Sequence, residues 1–147
     1  EEVINALTVD EIMVGDVMVD IDDAVVLSTA DPIEENLERV YDSPHTRYPL
    51  VGSDLDDYRG VVYVPSLLEH LDEIRAGELD LADVAAPPMT VAVDTSVSGV
   101  IDQFQAEGQE LALAMAEGGG QGLLTATDAL ETVMGDIEDP LDRDAMS

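Results

Sequence analysis

The hydrophobic positions of the chain follow first a strand pattern and then a helix pattern. Val25-Val26-Leu27 is a short β-branched run, which predicts a strand. In the polar sequence after it, Asp31 can cap a helix that has Pro32 at its first position. Three apolar residues then recur at helical spacing and predict one buried helix face: Ile33, Leu37 and Val40.

Two further strands and a second helix complete this first half. Tyr48–Val51 and Gly60–Val64 are apolar runs of strand length, and the polar segment 52–59 between them predicts a turn. The helix that follows has an apolar face formed by Leu67, Leu68 and Leu71.

The same order of elements recurs in the second half. Thr90–Val93 matches the first strand, and the helical positions Val97, Ile101 and Phe104 lie 64 residues after their counterparts. The other predicted elements are the strands Leu111–Met115 and Gly122–Leu124 and the helix Asp128–Ile137. A period of about 63 residues is too long for a solenoid, so it indicates a duplicated β-α-β-β-α unit. The predicted fold class is α+β, with two tandem repeats related by pseudo-two-fold symmetry.

The duplication sets the predicted boundaries. They are a lead-in helix and linker (1–16), a first repeat (17–76), a linker (77–88), a second repeat (89–139) and an acidic tail (140–147). A half of about 60 residues has a marginal core of its own, so we expect the halves to pack sheet to sheet. A cleft left by such packing would suit a small ligand.

The charge of the chain narrows its partners and its habitat. Five Lys+Arg residues, all of them arginine, face 34 Asp+Glu, for a net charge of −29. With no basic patch, the chain is a poor partner for nucleic acid or for an anionic membrane. At about 1 M salt the Debye length falls to roughly 3 Å, which screens the self-repulsion of such a surface. The composition therefore predicts a protein of a salt-accumulating halophile, and an ordinary acidic surface is the alternative.

Several sequence features are absent. The chain has no cysteine, which excludes disulfides, thiolate metal sites and a cysteine nucleophile. No run approaches the roughly 18 apolar residues of a membrane span, and no secretory signal is recognisable. Because the first residue is Glu1 rather than Met, we expect an excised segment of a longer protein.

The motifs of both halves resemble those of cystathionine-β-synthase-type (CBS) domains. The first half has His45-Thr46-Arg47-Tyr48-Pro49-Leu50, which is similar to the family's His-Ser-Arg-x-Pro-Val element. Gly60-Val61-Val62-Tyr63-Val64 with Leu67-Leu68 resembles its Gly-Val-x-Tyr-Val-x-x-Leu-Leu stretch. The run from Val17 to Leu37 is similar to the family's first strand and helix.

In the second half, Gly122 to Asp128 fits the family's Gly-h-h-Thr-x-x-Asp pattern, where h is hydrophobic. The final run Asp128 to Asp139 looks like the end of the CBS pair in CorC/CNNM-type (hemolysin-like) magnesium and cobalt transport proteins. The likeness covers residues 12–139. It implies a CBS pair that dimerises with a second pair into a disc.

Thr125 and Asp128 are the first candidate ligand-binding residues. They are predicted to lie where a strand turns into a helix, so free backbone N–H groups and the positive end of the helix dipole are nearby. A carboxylate there can accept two hydrogen bonds from the hydroxyls of a ribose, and the resemblance implies that these two positions hold the ribose of an adenine nucleotide. Thr-x-x-Asp is also a helix-capping arrangement, and the two roles can coexist.

The first half carries Tyr63 and Ser66 at the equivalent positions. A ribose would lose its charged acceptor there, so we expect one nucleotide site and not two. Ser66 with Glu69 still forms a predicted capping box.

The resemblance implies further contacts to the nucleotide. Arg47 is the candidate phosphate partner because guanidinium binds phosphate in a bidentate manner, with a salt bridge to a carboxylate as the alternative. His45 is expected to stack on the adenine or bind a phosphate, or to be a surface residue. Alongside Leu111, the remaining candidates are Ala112 and Leu113, beside the adenine or in the core, and Met89 and Thr90, near the phosphates.

One departure from the family concerns the phosphates. The family often shows Met-Thr-Pro at the start of its strand, whereas Met18 is followed by Val19 and Asp20. The lost hydroxyl and the added negative charge should weaken ATP binding or require a bridging Mg²⁺.

Catalytic and metal motifs are weak. No nucleophile elbow, Walker loop or catalytic carboxylate pair is present, so we expect no enzyme activity. Gly118 to Gly122 is predicted to be a hairpin turn rather than a phosphate loop. Asp54, Asp56 and Asp57 resemble a calcium loop only superficially, and we expect no metal site of the protein's own.

The sequence therefore leads to two alternative functions. In the first, a CBS pair binds ATP, ADP or AMP, with or without Mg²⁺, and regulates a covalently linked transmembrane domain that transports divalent cations. It would act as a homodimer on the cytoplasmic side of a plasma membrane. In the second, the pair is a ligand-free dimerisation platform with a decayed nucleotide site.

Overall fold

The computed structural model describes residues 12–135, which form two compact units. Unit 2 is the continuous segment Asp23–Met89, whereas unit 1 combines the described parts of Glu1–Asp22 and Thr90–Ser147. The predicted start of helix Asp128–Ile137 is described to residue 135, and the predicted acidic tail lies outside the described residues. No helix within residues 12–135 has the length and apolar character needed to cross a membrane.

Unit 2 is a three-stranded sheet covered by helices. Its elements are β2 (Leu27–Ser28), α2 (Ile33–Tyr41), β3 (Arg47–Val51), β4 (Tyr58–Tyr63), α3 (Val64–Glu69) and α4 (Leu71–Arg75), after α1 and β1 of unit 1. Strand β3 is central, parallel to β2 and antiparallel to β4. The core comprises Leu27, Tyr48, Leu50, Val62, Leu67, Ile74 and Leu81. The predicted apolar face of α2 is confirmed, because Ile33, Leu37 and Val40 pack against this core.

Unit 1 is a four-stranded sheet that contains both ends of the described chain. Its elements are α1 (Val14–Val17), β1 (Val19–Asp20), β5 (Thr90–Ala92), α5 (Val97–Glu107), β6 (Leu111–Ala116), β7 (Gly119–Thr125) and α6 (described over 126–135). The strand order is β1-β7-β6-β5. Helix α5 buries Val97, Val100 and Phe104 and leaves Ile101 partly exposed, so the buried face is rotated slightly from the predicted one.

The registers of the two sheets confirm the duplication. In the parallel pairs, Leu27 faces Leu50 in unit 2 and Val91 faces Ala114 in unit 1, each 64 residues later. The antiparallel pairs match as well, including a register shift at the same place: between Leu50 and Val51 in unit 2, and between Ala114 and Met115 in unit 1. The α+β fold of two β-α-β-β-α repeats is therefore confirmed.

The N-terminal segment pairs with the sheet of the second repeat. Strand β1 runs antiparallel to β7, with Val19 opposite Leu123 and Asp20 opposite Gly122. A Cβ on Gly122 would lie 2.4 Å from the carbonyl oxygen of Val19, so only glycine permits this close approach. The segment that begins at residue 17, predicted to be part of the first repeat, thus contributes its strand to unit 1.

Unit 2 repeats this arrangement. The linker residue Ala86 forms a bridge with Val61, and a Cβ on Gly60 would lie 2.4 Å from the carbonyl oxygen of Ala86. In both units, therefore, the segment that precedes a repeat pairs beside a glycine of the last strand of the other repeat. Compact units and sequence repeats divide the chain differently, and the predicted repeat boundaries stay a prediction.

The predicted cap of α2 is wrong. The helix begins at Ile33 with Pro32 as its N-cap, without a side-chain cap. Asp31 instead accepts a hydrogen bond from the guanidinium of Arg39 at 2.7 Å. The ion pair competes for the carboxylate that the sequence pattern assigns to capping.

Asn36 is the buried polar residue that the sequence patterns do not reveal. It is 1% exposed, and its side chain satisfies both backbone groups of Ser28. The Oδ1 atom accepts from the Ser28 N–H at 3.0 Å, and the Nδ2 atom donates to the Ser28 carbonyl at 2.9 Å. Because β2 is an edge strand, this amide completes hydrogen bonding that no further strand provides.

Two other predictions are modified by the structure. Leu68, predicted to lie on the buried face of its helix, is 58% exposed. The glycine-rich hairpin is confirmed, but its turn is Glu117-Gly118, because β6 extends to Ala116 and β7 already begins at Gly119.

Candidate functional site

Thr125 and Asp128 lie at the junction of β7 and α6 in unit 1. Thr125 is the last residue of β7, and its Oγ1 accepts a hydrogen bond from the backbone N–H of Asp128 at 3.0 Å. The predicted capping role of Thr125 is therefore confirmed. Its hydroxyl hydrogen remains able to donate to a further acceptor.

The Asp128 side chain is exposed at the first turn of α6. Within the described part of the chain, no residue donates a hydrogen bond to its carboxylate. An ionised carboxylate only accepts hydrogen bonds, so it suits a ligand with adjacent hydroxyl groups. Its place in the first turn of α6 adds the favourable field of the helix N-terminus.

The equivalent positions in unit 2 have different chemistry. Tyr63 ends β4 and is the N-cap residue of α3, as Thr125 ends β7, but it makes no side-chain cap. The predicted Ser66–Glu69 capping box is wrong, because α3 begins at Val64 and Ser66 already lies inside the helix. The Ser66 carbonyl is close to Nδ1 of His70 at 3.0 Å, in agreement with the structural role predicted for that histidine.

Arg47 stacks on an aromatic ring. Its guanidinium carbon lies 4.4 Å from the ring centroid of Tyr63, which is its antiparallel partner across β3 and β4. Within residues 12–135, Arg47 forms no ion pair with a carboxylate, so the alternative of a salt bridge is not observed there.

His45 precedes β3 on an exposed surface. Its ring meets the edge of Tyr48 at a centroid distance of 6.0 Å and an interplanar angle of 70°. The Tyr48 hydroxyl donates to the His45 carbonyl at 3.1 Å, which fixes the backbone of this loop. The imidazole itself is solvent-accessible.

The β6 candidates are core residues. Ala112 and Leu113 are both 0% exposed, so in this structure their side chains pack in the interior of unit 1. Only their backbone or a rearranged pocket could reach a base, and core packing, the alternative stated for them, is observed.

Met89 and Thr90 differ in exposure. Met89 is 1% exposed and belongs to unit 2. Thr90 begins β5 in unit 1, pairs with Leu113 and is exposed, and its carbonyl accepts a hydrogen bond from Gln103 at 3.0 Å. Unit 1 thus holds five of the eight candidates, Thr90, Ala112, Leu113, Thr125 and Asp128, and unit 2 holds His45, Arg47 and Met89.

The residues that depart from the family pattern are accessible. Val19 is 45% exposed on β1. Asp20 is exposed as well, and its Oδ1 accepts a hydrogen bond from the backbone N–H of Asp22 at 3.0 Å. The negative charge of Asp20 therefore faces solvent.

Unit 2 contains a polar cavity that the sequence does not reveal. Its volume is about 380 Å³, and Ser28, Asp31, Asn36, Arg59 and Asp80 are among its lining residues. Arg59 holds Asp57 through two hydrogen bonds of 3.2 and 2.9 Å, and this pairing lowers the pKa of the Asp57 carboxyl. None of the eight candidate residues lines this cavity.

The acidic turn in unit 2 has a structural explanation. Asp54 caps the 3-10 turn Leu55–Asp57 by accepting from the Asp56 N–H at 3.0 Å. Among residues 12–135, no cluster of three or more histidine, aspartate or glutamate side chains could hold a metal ion.

The chain is similar to CBS domain proteins. The family model "CBS domain" matches residues 14–73. A magnesium and cobalt efflux protein CorC of Pasteurella multocida is 28% identical over 145 residues, which are 98% of this chain and 48% of that protein. The chain thus spans about half the length of this relative.

Solved structures extend the likeness to both repeats. A CBS-domain pair with bound AMP from Klebsiella pneumoniae is 25% identical, with a TM-score of 0.73, and the match covers 84% of this chain and 99% of that one. The CBS domain of a bacterial CNNM/CorC family Mg²⁺ transporter in complex with ATP has a TM-score of 0.77 at 23% identity, with coverages of 92% and 96%.

Proposed function

Because the chain belongs to the CBS domain family and its described residues have the fold of a CBS pair, we propose that it is a regulatory adenine-nucleotide-binding module. The observation that carries this proposal is the β7–α6 junction, where the capping residue Thr125 and the exposed carboxylate of Asp128 lie three residues apart. The AMP-bound and ATP-bound relatives support the choice of ligand class.

The chemistry of the proposed site begins with the ribose. The two ribose hydroxyls would donate to the carboxylate of Asp128, and the hydroxyl of Thr125 would add a third hydrogen bond while its oxygen caps α6. Each bond to a charged acceptor contributes about 1.5–3 kcal/mol before the loss of ligand freedom is subtracted. Asp128 would therefore dominate the affinity.

The remaining candidates would contact the base and the phosphates. We assign the strand around Ala112 and Leu113 to the adenine, and Met89 and Thr90 to the region of the phosphates. Arg47 and His45 would supply the positive charge and hydrogen bonds that a phosphate needs. With a net charge of −29, a polyphosphate would bind best as its Mg²⁺ complex.

The regulatory step would be a change of dimer geometry. A half-exposed leucine recurs at equivalent positions of α3 and α6, Leu68 at 58% and Leu130 at 48%, and Met134 adds a further exposed side chain at 54%. These side chains support a homodimer, because exposed apolar helix faces favour association. Nucleotide binding would favour one geometry and so bias a linked membrane domain that moves Mg²⁺ or Co²⁺. The module would then be cytoplasmic, in a halophile with high internal salt.

The alternative is a dimerisation platform without a ligand. It is favoured by Tyr63 and Ser66 in unit 2, which lack the carboxylate of a ribose site, and by the exposed Asp20. Under this alternative Thr125 would serve only as a helix cap.

Calorimetric titration with ATP, ADP and AMP, in molar KCl with and without Mg²⁺, separates the two functions. The proposal expects heat of binding for at least one nucleotide, and its loss in Asp128→Ala. The control is Asp102→Ala, which removes an exposed carboxylate from α5 rather than from the site. No binding of any nucleotide to the wild-type protein would support the platform instead, and the same samples would reveal any nucleotide turnover.

A further inference from the structure

We propose that Tyr63 is a positioning residue that holds the guanidinium of Arg47 in place for a phosphate group. This inference rests on the proposed function, because it concerns the phosphate contacts of the same nucleotide. It assigns Tyr63 a role other than that of a failed ribose position.

The contact between the two side chains is built into the sheet. Arg47 is the first residue of β3 and Tyr63 the last of β4, and the antiparallel register places them opposite each other. The guanidinium carbon lies 4.4 Å from the ring centroid, well within the range of a cation–π contact. Tyr63 is 39% exposed, so the pair lies at the surface of unit 2.

The other arginines of residues 12–135 are each occupied by a carboxylate. Arg39 pairs with Asp31 at 2.7 Å, Arg59 with Asp57 at 2.9 Å and Arg75 with Glu34 at 2.9 Å. Arg47 is different, because within that range it contacts an aromatic face and no acid. In a chain with 34 acidic residues, an arginine that stays unpaired needs another group to hold it.

Stacking on a ring leaves the hydrogen-bonding capacity of the guanidinium intact. The N–H groups of arginine lie in the plane of the guanidinium, and a ring below that plane uses none of them. The stacked Arg47 therefore presents its donors to an incoming anion. A carboxylate partner would instead occupy two of them and cancel the charge.

The two repeats divide these roles between equivalent positions. The pair that corresponds to Arg47 and Tyr63 in unit 1 is Leu111 and Thr125, which also face each other across two antiparallel strands. Unit 1 thus has a ribose-type residue and no cation at this register, whereas unit 2 has the cation and an aromatic support. Tyr63 would at the same time keep a second nucleoside from this position in unit 2.

A double-mutant cycle measured by ATP titration in molar KCl tests this inference. The proteins are the wild type, Tyr63→Leu, Arg47→Leu and the double variant. Arg47→Leu should weaken ATP binding about tenfold or more, as expected for a hydrogen-bonded charge. Tyr63→Leu should weaken it roughly two- to fivefold, the size of an exposed cation–π contact, and should have no further effect when Arg47 is already replaced.

Two controls separate positioning from damage to the fold. Tyr63→Phe keeps the ring and should bind ATP like the wild type, and Tyr41→Leu makes the same replacement at a tyrosine that is 90% exposed. Adenosine, which has no phosphate, should compete equally well against the wild type and Tyr63→Leu. Wild-type affinity of Tyr63→Leu, or an equal loss with and without Arg47, would overturn the inference. Failure of the proposed function would look different, since the wild type itself would then bind no nucleotide.

Discussion

The close contact at Gly122 gives a prediction about how the N-terminal segment is held. In Gly122→Ala the new methyl group would lie 2.4 Å from the carbonyl oxygen of Val19 and 2.7 Å from the sulfur of Met18. The sulfur can move, because a methionine side chain is flexible, but the carbonyl belongs to β1. Relief of the clash therefore requires β1 to shift away from β7.

The structure sets the size of this effect. Strand β1 has two residues, so a shift would give up its whole pairing with β7. Overpacking costs about 1–3 kcal/mol and each lost hydrogen bond about 1 kcal/mol, so we expect a destabilisation of about 2–3 kcal/mol. For a chain of this size that lowers the melting temperature by roughly 5–10 °C.

Thermal and urea unfolding in molar KCl would measure the change. Gly60→Ala, which meets the carbonyl of Ala86 at 2.4 Å in unit 2, should lose a similar amount. Gly135→Ala is the matched control, because no atom lies within 4 Å of its new methyl group, and a helical glycine replaced by alanine gains up to about 1 kcal/mol. Unchanged stability of Gly122→Ala would refute the seating of β1 on β7.

Three further predictions concern the interior, the pH response and the salt response. Asn36→Leu should lose about 2–3 kcal/mol in urea unfolding, because both backbone groups of Ser28 would be left without their buried partner; equal stability would contradict this. Burial raises the pKa of Tyr58 to about 12 from an ordinary value of 10.0, so stability should fall as the pH rises from 10 to 12, a loss that Tyr58→Phe should lack. Raising KCl from low to molar concentration should strengthen ATP binding, because it screens the net charge of −29, and weaker binding would show that this field does not act on the site.

The apolar spacing predicted much of the fold because each repeat carries its own core. The face formed by Ile33, Leu37 and Val40 is read from helical spacing alone, and the structure places it against the core of unit 2. The duplication was also evident, since equivalent apolar positions keep one offset through the helices and strands.

The remaining features depend on contacts between distant residues. The pairing of Val19 with Leu123 has no local signal, and neither does the burial of Asn36 against β2. The cap at Asp31 and the capping box at Ser66 were wrong because an ion pair and an earlier helix start override the local pattern.

The candidate site was predicted in the same uneven way. The sequence identified Thr125 as a cap, and the structure confirms it. It did not indicate the ring beneath Arg47, because that contact follows from the register of β3 and β4 rather than from spacing within one strand.

An amide-resolved NMR titration with ATP and Mg²⁺ in molar KCl tests the central claim most directly. The account predicts that the amide signals of residues 125–128 shift with increasing ATP and that these shifts vanish in Asp128→Ala. Shifts centred instead on the unit 2 cavity, at Ser28, Arg59 and Leu81, would contradict it, as would a spectrum that ATP leaves unchanged.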